Sequence, residues 1–358
     1  MSAKYHAIGL MSGSSLDGLD IAYVSFEQKD SHWSYQIIAV ECLSYPPTLQ
    51  YKLKTATQLA SKELFLIHTQ LGHFFGNAVK NFVSAHKIET LDFIASHGHT
   101  IFHDPENMMT CQIADGAAIA VSSGFKTVSD LRSSDIAAGG QGAPIVPMGD
   151  QLLFSDYDAW LNIGGIANIS LRQKNSQALL AFDICVANQI LNFYANQVGK
   201  EFDRGGEMAR SGKVDKVLFD TLNALDFYLK EGPKSLDNAY STSIILPLIE
   251  HSNLSVEDTL ATYTNHIAYQ IAKHTDTVKS ILVTGGGAFN HYLIEVLKSY
   301  SNAVIHIPDE NTIQYKEALV MAFLGLLRIL EKENVLASVT GARKNSINGA
   351  VYLPLVSS

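Results

Sequence analysis

YHAIGLMSGSSLDGLDIAYVSF, residues 5–26, carries the pattern that decides the fold. Tyr5 to Met11 is apolar, Ser12 to Asp20 is a turn of Gly, Ser and Asp, and Ile21 to Phe26 alternates apolar and small residues. A polar turn from Gln28 to His32 leads to Tyr35–Leu43, rich in β-branched and aromatic residues, so three strands are expected. Helical spacing follows from Leu49 to about Ala85, with Leu64, Ile67, Leu71 and Phe75 on one face. A short strand, Leu91 to Ala95, then ends in Ser96-His97-Gly98-His99-Thr100.

The same order of elements returns in the second half. Ala159–Ile163 is an apolar strand, Gly164-Gly165-Ile166-Ala167-Asn168 a Gly-rich turn, and Ile169–Arg172 a second strand. Ala178–Phe182 forms a third strand ending on Asp183, helical stretches follow, and Ser280–Thr284 runs into Gly285-Gly286-Gly287. Repetition of this kind predicts an α/β protein built from two duplicated domains, with mixed sheets flanked by helices. The expected boundaries are 1–140 and 141–340, with a tail at 341–358 packing back on the N-terminal domain. Ligands tend to bind where such halves face each other.

Composition narrows the partners. The 358 residues carry 26 Lys and Arg against 35 Asp and Glu, a formal charge of −9. A negative surface without a basic, aromatic-interleaved run argues against nucleic acid. Cys42, Cys111 and Cys185 are widely spaced and fit a reducing compartment. The longest apolar run, Ala318 to Leu327, is about half a membrane span. A cytoplasmic protein that does not engage membranes is expected.

Several loops could carry chemistry. In Gly13-Ser14-Ser15-Leu16-Asp17-Gly18-Leu19-Asp20, glycine admits an anion close to backbone N–H groups, serine adds donors, and Asp17 or Asp20 could hold Mg²⁺. The same residues also suit a tight hairpin. Gly164-Gly165 and Gly285-Gly286-Gly287 read either as phosphate-binding turns or as close packing points. Asp183, at the expected tip of its strand, reads as a general base, a metal ligand or a helix N-cap. The His97-Gly98-His99 run invites zinc, polar recognition of a sugar, or a hydrogen-bonded loop. Arg132 reads as an anion partner or as an internal salt bridge to Asp130 or Asp135. Lys234-Ser235, after Gly232-Pro233, is a weaker anion candidate. Glu317 reads as a first-turn glutamate complementing a helix dipole.

Taken together these stretches resemble the anhydro-N-acetylmuramic acid kinase family. The resemblance rests on residues 11–20, Ser96–Thr100, Asp130–Arg132 with Ala137–Pro144, Asn162–Asn168, Asp203–Gly206, Pro233–Ser235 and Thr284–Asn290, in order over essentially the whole chain. It implies the actin-like ATPase (ribonuclease H-like) fold shared by sugar kinases and Hsp70. It also implies a homodimer, ATP with Mg²⁺, and ring opening plus O6 phosphorylation of an anhydro-amino-sugar acid in bacterial cell-wall recycling. By the same resemblance Asp183 is the base, and residues 13–20 with Gly285–Gly287 bind ATP, Gly164 and Gly165 joining them. His97, Arg132 and Glu317 lie near the sugar, with Arg132 toward the lactyl carboxylate. The sequence departs from the family in having His99 for a usual Gln, and in Asp183-Ile184-Cys185-Val186-Ala187-Asn188 for the usual Asp-Thr-Gly-Pro-Gly-Asn. That second departure keeps two other readings open: a sensor without turnover, or a kinase of another sugar.

Overall fold

Residues 5–26 form the expected pair of antiparallel strands, β1 (Lys4–Ser12) and β2 (Leu19–Lys29), in a computed structural model that describes residues 3–13, 16–173, 178–230, 232–237 and 239–355. β3 (His32–Leu43) continues the meander. β4 (Phe93–Asp104) lies parallel to β1, with β5 (Met109–Ile113) and β6 (Thr127–Ser129) paired to β4. In the second half come β7 (Ala159–Ile163), β8 (Ile166–Arg172), β9 (Leu179–Val186), β10 (Ser280–Thr284) and β11 (Val304–His306); β12 (Ala350–Tyr352) is last.

Two sheets result. The first runs β12-β6-β4-β1-β2-β3 with β5 beside β4, and the second runs β11-β10-β7-β8-β9. β1 and β7 hold equivalent places. On one side of each lies a two-strand antiparallel meander and on the other lie two strands parallel to it, with β12 added antiparallel at the edge of the first sheet. The repeated order of elements is thus a repeated topology. The chain divides into one unit of Met1–Ser155 with Tyr315–Ser358 and another of Asp156–Gln314.

The cores follow from the periodicities. Helix Ser61–Ala85 buries Ile67, Leu71, Phe75, Ala78, Val79 and Phe82 against Ile8 and Leu10 of β1. Each large side chain buried this way contributes roughly 1.5–3 kcal/mol. β1 must also admit helix Glu310–Ile329, because a Cβ at Gly9 would strike the carbonyl oxygen of Ala318. The apolar run Ala318–Leu327 is therefore core of the first unit. Among the described residues no helix is long and apolar enough to cross a membrane. In the second unit, helix Val256–Thr275 packs Tyr263, Ile267 and Ile271 into the core formed with β7 to β10.

Three elements differ from expectation. The helical spacing over residues 49–85 is interrupted: helix Pro47–Lys54 ends at Thr55, and the extended backbone of Leu59 and Ala60 precedes the long helix. β4 does not stop before His97 but continues to Asp104, since β1 and β5 supply pairing for those polar residues. β9 likewise runs past Asp183 to Val186 against β8.

Candidate active site

In the first unit the Gly/Ser/Asp turn is anchored at its base by three buried side chains. Tyr45 donates to Ser12 Oγ at 2.6 Å, and Ser12 Oγ lies 2.9 Å from His99 Nδ1. Ser12 ends β1 and sits beside His99 of β4, so the sheet register brings them together. Above them, Leu16 N donates to Gly13 O at 3.3 Å, and Asp17 Oδ1 accepts from Gly18 N at 3.0 Å. Gly18 has no alternative, because a Cβ would come within 2.8 Å of Leu43 O. Ser14 and Ser15 lie outside the described residues. Asp20, opposite Met11 and Cys42, accepts a hydrogen bond from the Cys42 thiol. Desolvation chiefly, with the nearby Asp17 charge, holds its carboxyl above the ordinary range.

Arg132 and His97 meet in the same unit. Arg132 Nε donates to His97 Nε2 at 2.8 Å, and Arg132 Nη1 donates to Gly142 O at 2.6 Å. Neither Asp130 nor Asp135 forms an ion pair with Arg132 among the described residues, so the internal salt bridge is not formed. His97 is buried, and its Nδ1 lies 3.1 Å from Gly98 O. Burial, then the Arg132 charge, drops its pKa to about 3, so the ring is neutral. His99 has a different partner, Ser12. In helix Glu310–Ile329 the backbone is non-helical at Tyr315 (φ −111°, ψ 16°), so Glu317 falls in the first turn of the helix that restarts after it, as the sequence suggested. There dehydration and the Asp20 charge raise its carboxyl while Lys316 and Arg132 oppose them. The neighbouring Lys316 is buried and pairs with buried Asp150 at 2.6 Å.

In the second unit Asp183 lies within β9 rather than at its tip. Asp183 Oδ2 accepts from Leu236 N at 2.9 Å and from Ser235 Oγ at 3.3 Å, while its own N–H donates to Lys234 O. Oδ1 makes no hydrogen bond among the described residues. The half-buried carboxyl titrates above the ordinary range because desolvation outweighs those two bonds. Asp183 is no N-cap, for helix Asn188–Gln197 follows Ala187 without a side-chain cap. The Lys234 ammonium donates to Phe227 O and Lys230 O, around the end of helix Asp226–Leu229.

The glycine turns of this unit lie at the ends of adjacent parallel strands, β7 and β10. A Cβ on Gly285 (φ 81°) would meet Asn162 Oδ1 at 2.5 Å, and one on Gly287 would strike Ile163. Both are therefore needed for close packing, whereas a Cβ on Gly286 would meet only Asn188 Nδ2, in ordinary contact at 3.7 Å. Asn188 Nδ2 donates to Ile163 O, and Ala187 N and Asn188 N donate to Gly165 O and Gly164 O. Ile184, Cys185, Val186 and Ala187 are all buried, and Tyr263 donates to Val186 O at 3.0 Å. Core packing thus holds the stretch from Ile184 to Ala187.

Sequence reading missed the roles of four residues. Ser235, read in the sequence only with Lys234 as a weak anion candidate, and Leu236 hold Asp183 from 52 and 53 residues away. Asp135 was weighed only as a partner for Arg132. Thr340 carried no signal at all.

The model of the family described as anhydro-N-acetylmuramic acid kinase matches residues 5–354. A protein of that name from Francisella tularensis subsp. novicida is 31% identical over 98% of this chain and 99% of its own length. Another from Xanthomonas campestris pv. campestris is 34% identical over 98% and 100%. Among solved structures, Plasmodium falciparum glycerol kinase with ADP aligns with a TM-score of 0.45 at 7% identity, over 98% of this chain and 94% of that one. With a family match over nearly its full length, the chain belongs to the anhydro-N-acetylmuramic acid kinases, ATP-using phosphotransferases of cell-wall recycling.

Proposed function

We propose that Asp183 is the general base of a coupled hydrolysis and phosphorylation. The substrate is 1,6-anhydro-N-acetylmuramic acid and the product N-acetylmuramic acid 6-phosphate. The supporting observation is the state of the carboxylate: Oδ2 is tied to Leu236 and Ser235, and Oδ1 is left to accept a proton. Asp183 removes a proton from water as the water oxygen bonds to the anomeric carbon. The bond from that carbon to the bridging oxygen breaks, and the released O6 attacks the γ-phosphorus of ATP, expelling ADP. Base catalysis of this kind contributes typically 10²–10⁴-fold.

The remaining assignments belong to the same reading. Residues 13–20, Gly164, Gly165 and Gly285–Gly287 bind the nucleotide, with Gly286 and the backbone N–H groups of the first hairpin as phosphate donors. Arg132 pairs with the lactyl carboxylate, His97 acts through Arg132, and Glu317 lines the sugar site. Mg²⁺ in such a reaction is carried on phosphate oxygens with one or two carboxylates. Asp17 and Asp20 fit that role: they are oxygen donors whose mutual repulsion a cation relieves. Mg²⁺ supplies charge neutralisation on the phosphates. A cytoplasmic enzyme is supported by three free cysteines, and a homodimer by the family resemblance.

The test is mass spectrometry of the product formed from the anhydro sugar, ATP and Mg²⁺ in ¹⁸O-labelled water. The expected product is a phosphorylated sugar with one ¹⁸O on the anomeric carbon. A phosphorylated sugar without the label, or no product while nucleotide binds, would overturn the reading.

A further inference from the structure

Arg132 is held on two sides, and the second side leads through one glycine to the C-terminal part of the chain. Gly142 accepts from Arg132 Nη1 at 2.6 Å and donates its own N–H to Asp135 Oδ2 at 2.8 Å. The other oxygen of that carboxylate, Oδ1, accepts from Thr340 Oγ1 at 2.8 Å. Asp135 is 0% exposed and Thr340 1%. Gly142 needs its φ of 64°, and Gly140 needs to lack a Cβ, which would strike Asp135 Oδ2. A further bond from Gln141 N to Thr340 O, at 2.8 Å, fastens the loop to the same residue.

Asp135 and Arg132 are three residues apart, yet neither neutralises the other among the described residues. Both Asp135 oxygens face donors, a demand that a carboxylate meets and an amide does not, since an amide turns one NH₂ toward a donor. Arg132 gives Nε to His97 and Nη1 to Gly142, while Nη2 makes no bond among the described residues. A guanidinium oriented by neutral groups keeps its charge for an incoming anion.

We infer that Asp135 and Thr340 are positioning residues for recognition of the sugar acid's carboxylate. Thr340 orients Asp135, Asp135 orients Gly142, and Gly142 orients Arg132. The inference rests on the assignment of Arg132 to that carboxylate.

Its test compares KM for the sugar acid with KM for its neutral lactyl methyl ester, alongside KM for ATP and kcat, in Thr340→Val, Thr340→Ser, Asp135→Asn and Arg132→Ala. Arg132→Ala is expected to abolish the preference for acid over ester. Thr340→Val and Asp135→Asn are expected to cut that preference about fivefold to tenfold with KM for ester and ATP within about twofold, the size of one ordinary hydrogen bond, since both residues act on Arg132 through Gly142. Thr340→Ser, which keeps the hydroxyl, restores the preference. If Arg132→Ala abolishes the preference while Thr340→Val and Asp135→Asn leave it intact, the inference fails and the assignment of Arg132 stands. Equal losses for acid and ester in the Thr340 and Asp135 variants would mark a merely structural role and also overturn it. An unchanged preference in Arg132→Ala would overturn the assignment and the inference with it.

Discussion

Arg132 Nε donates to His97 Nε2 across 2.8 Å, which obliges the neutral imidazole to carry its proton on Nδ1, facing Gly98 O. The tautomer and the guanidinium orientation are therefore one feature. Replacing His97 by Ala should raise KM for the sugar acid about tenfold and leave KM for ATP within about twofold, the effect of one hydrogen bond to a charged group. Steady-state kinetics with each substrate varied in turn checks this, and equal changes in both constants would count against it.

Asp183→Asn should retain binding of ATP and sugar by calorimetry while kcat falls by roughly 10³-fold. Ser235→Ala probes the same carboxylate more gently. Loss of a hydrogen bond to the charged form raises the carboxyl pKa further. The acid limb of the kcat/KM profile should move to higher pH, with the plateau little changed. A limb that stays in place would mean that another group sets it.

Burial drops His266, which is fully buried beside Tyr228 and Tyr263, to a pKa of about 3. Its unfolded form titrates near 6.5. Between those values the unfolded chain binds the extra proton, so stability falls as pH falls from 6.5 toward 3. From pH 7.5 to pH 5.5 this one residue should cost about 1.4 kcal/mol. Urea unfolding at both values should show a smaller drop in His266→Gln, by that amount.

Lys316 and Asp150 form a buried ion pair at 2.6 Å, with the ammonium 5.5 Å from the Phe154 ring centroid. Lys316→Met strands the carboxylate and should cost about 3–5 kcal/mol, whereas Lys316→Met with Asp150→Leu should recover most of the loss. Denaturant midpoints of the two variants decide it. Equal midpoints would show that packing, not charge, dominates there.

The strand–turn–strand pattern at residues 5–26 was legible because alternation and turn chemistry act over a few residues. So was its return at Ala159. The Gly285–Gly287 stretch was legible as a turn, but its division of labour was not. Only the neighbouring Ile163 shows that two of the three glycines serve packing and that Gly286 does not. Glu317 was legible as a first-turn glutamate, since the kink at Tyr315 restarts the helix just before it, but its burial near the Asp20 and Arg132 charges was not.

By itself the sequence determined the α/β class, the repeated unit and the family, since each rests on local periodicity or on motifs whose order survives without coordinates. Tertiary structure decided which charges work together. His97 and Arg132 are 35 residues apart, Asp183 and Leu236 53, Asp135 and Thr340 205. Hydrogen bonds across such separations depend on how sheets and helices stack, and local propensity carries no trace of that. The same cause extended β4 and β9 through polar residues, because a neighbouring strand offered them backbone partners that the local sequence could not predict.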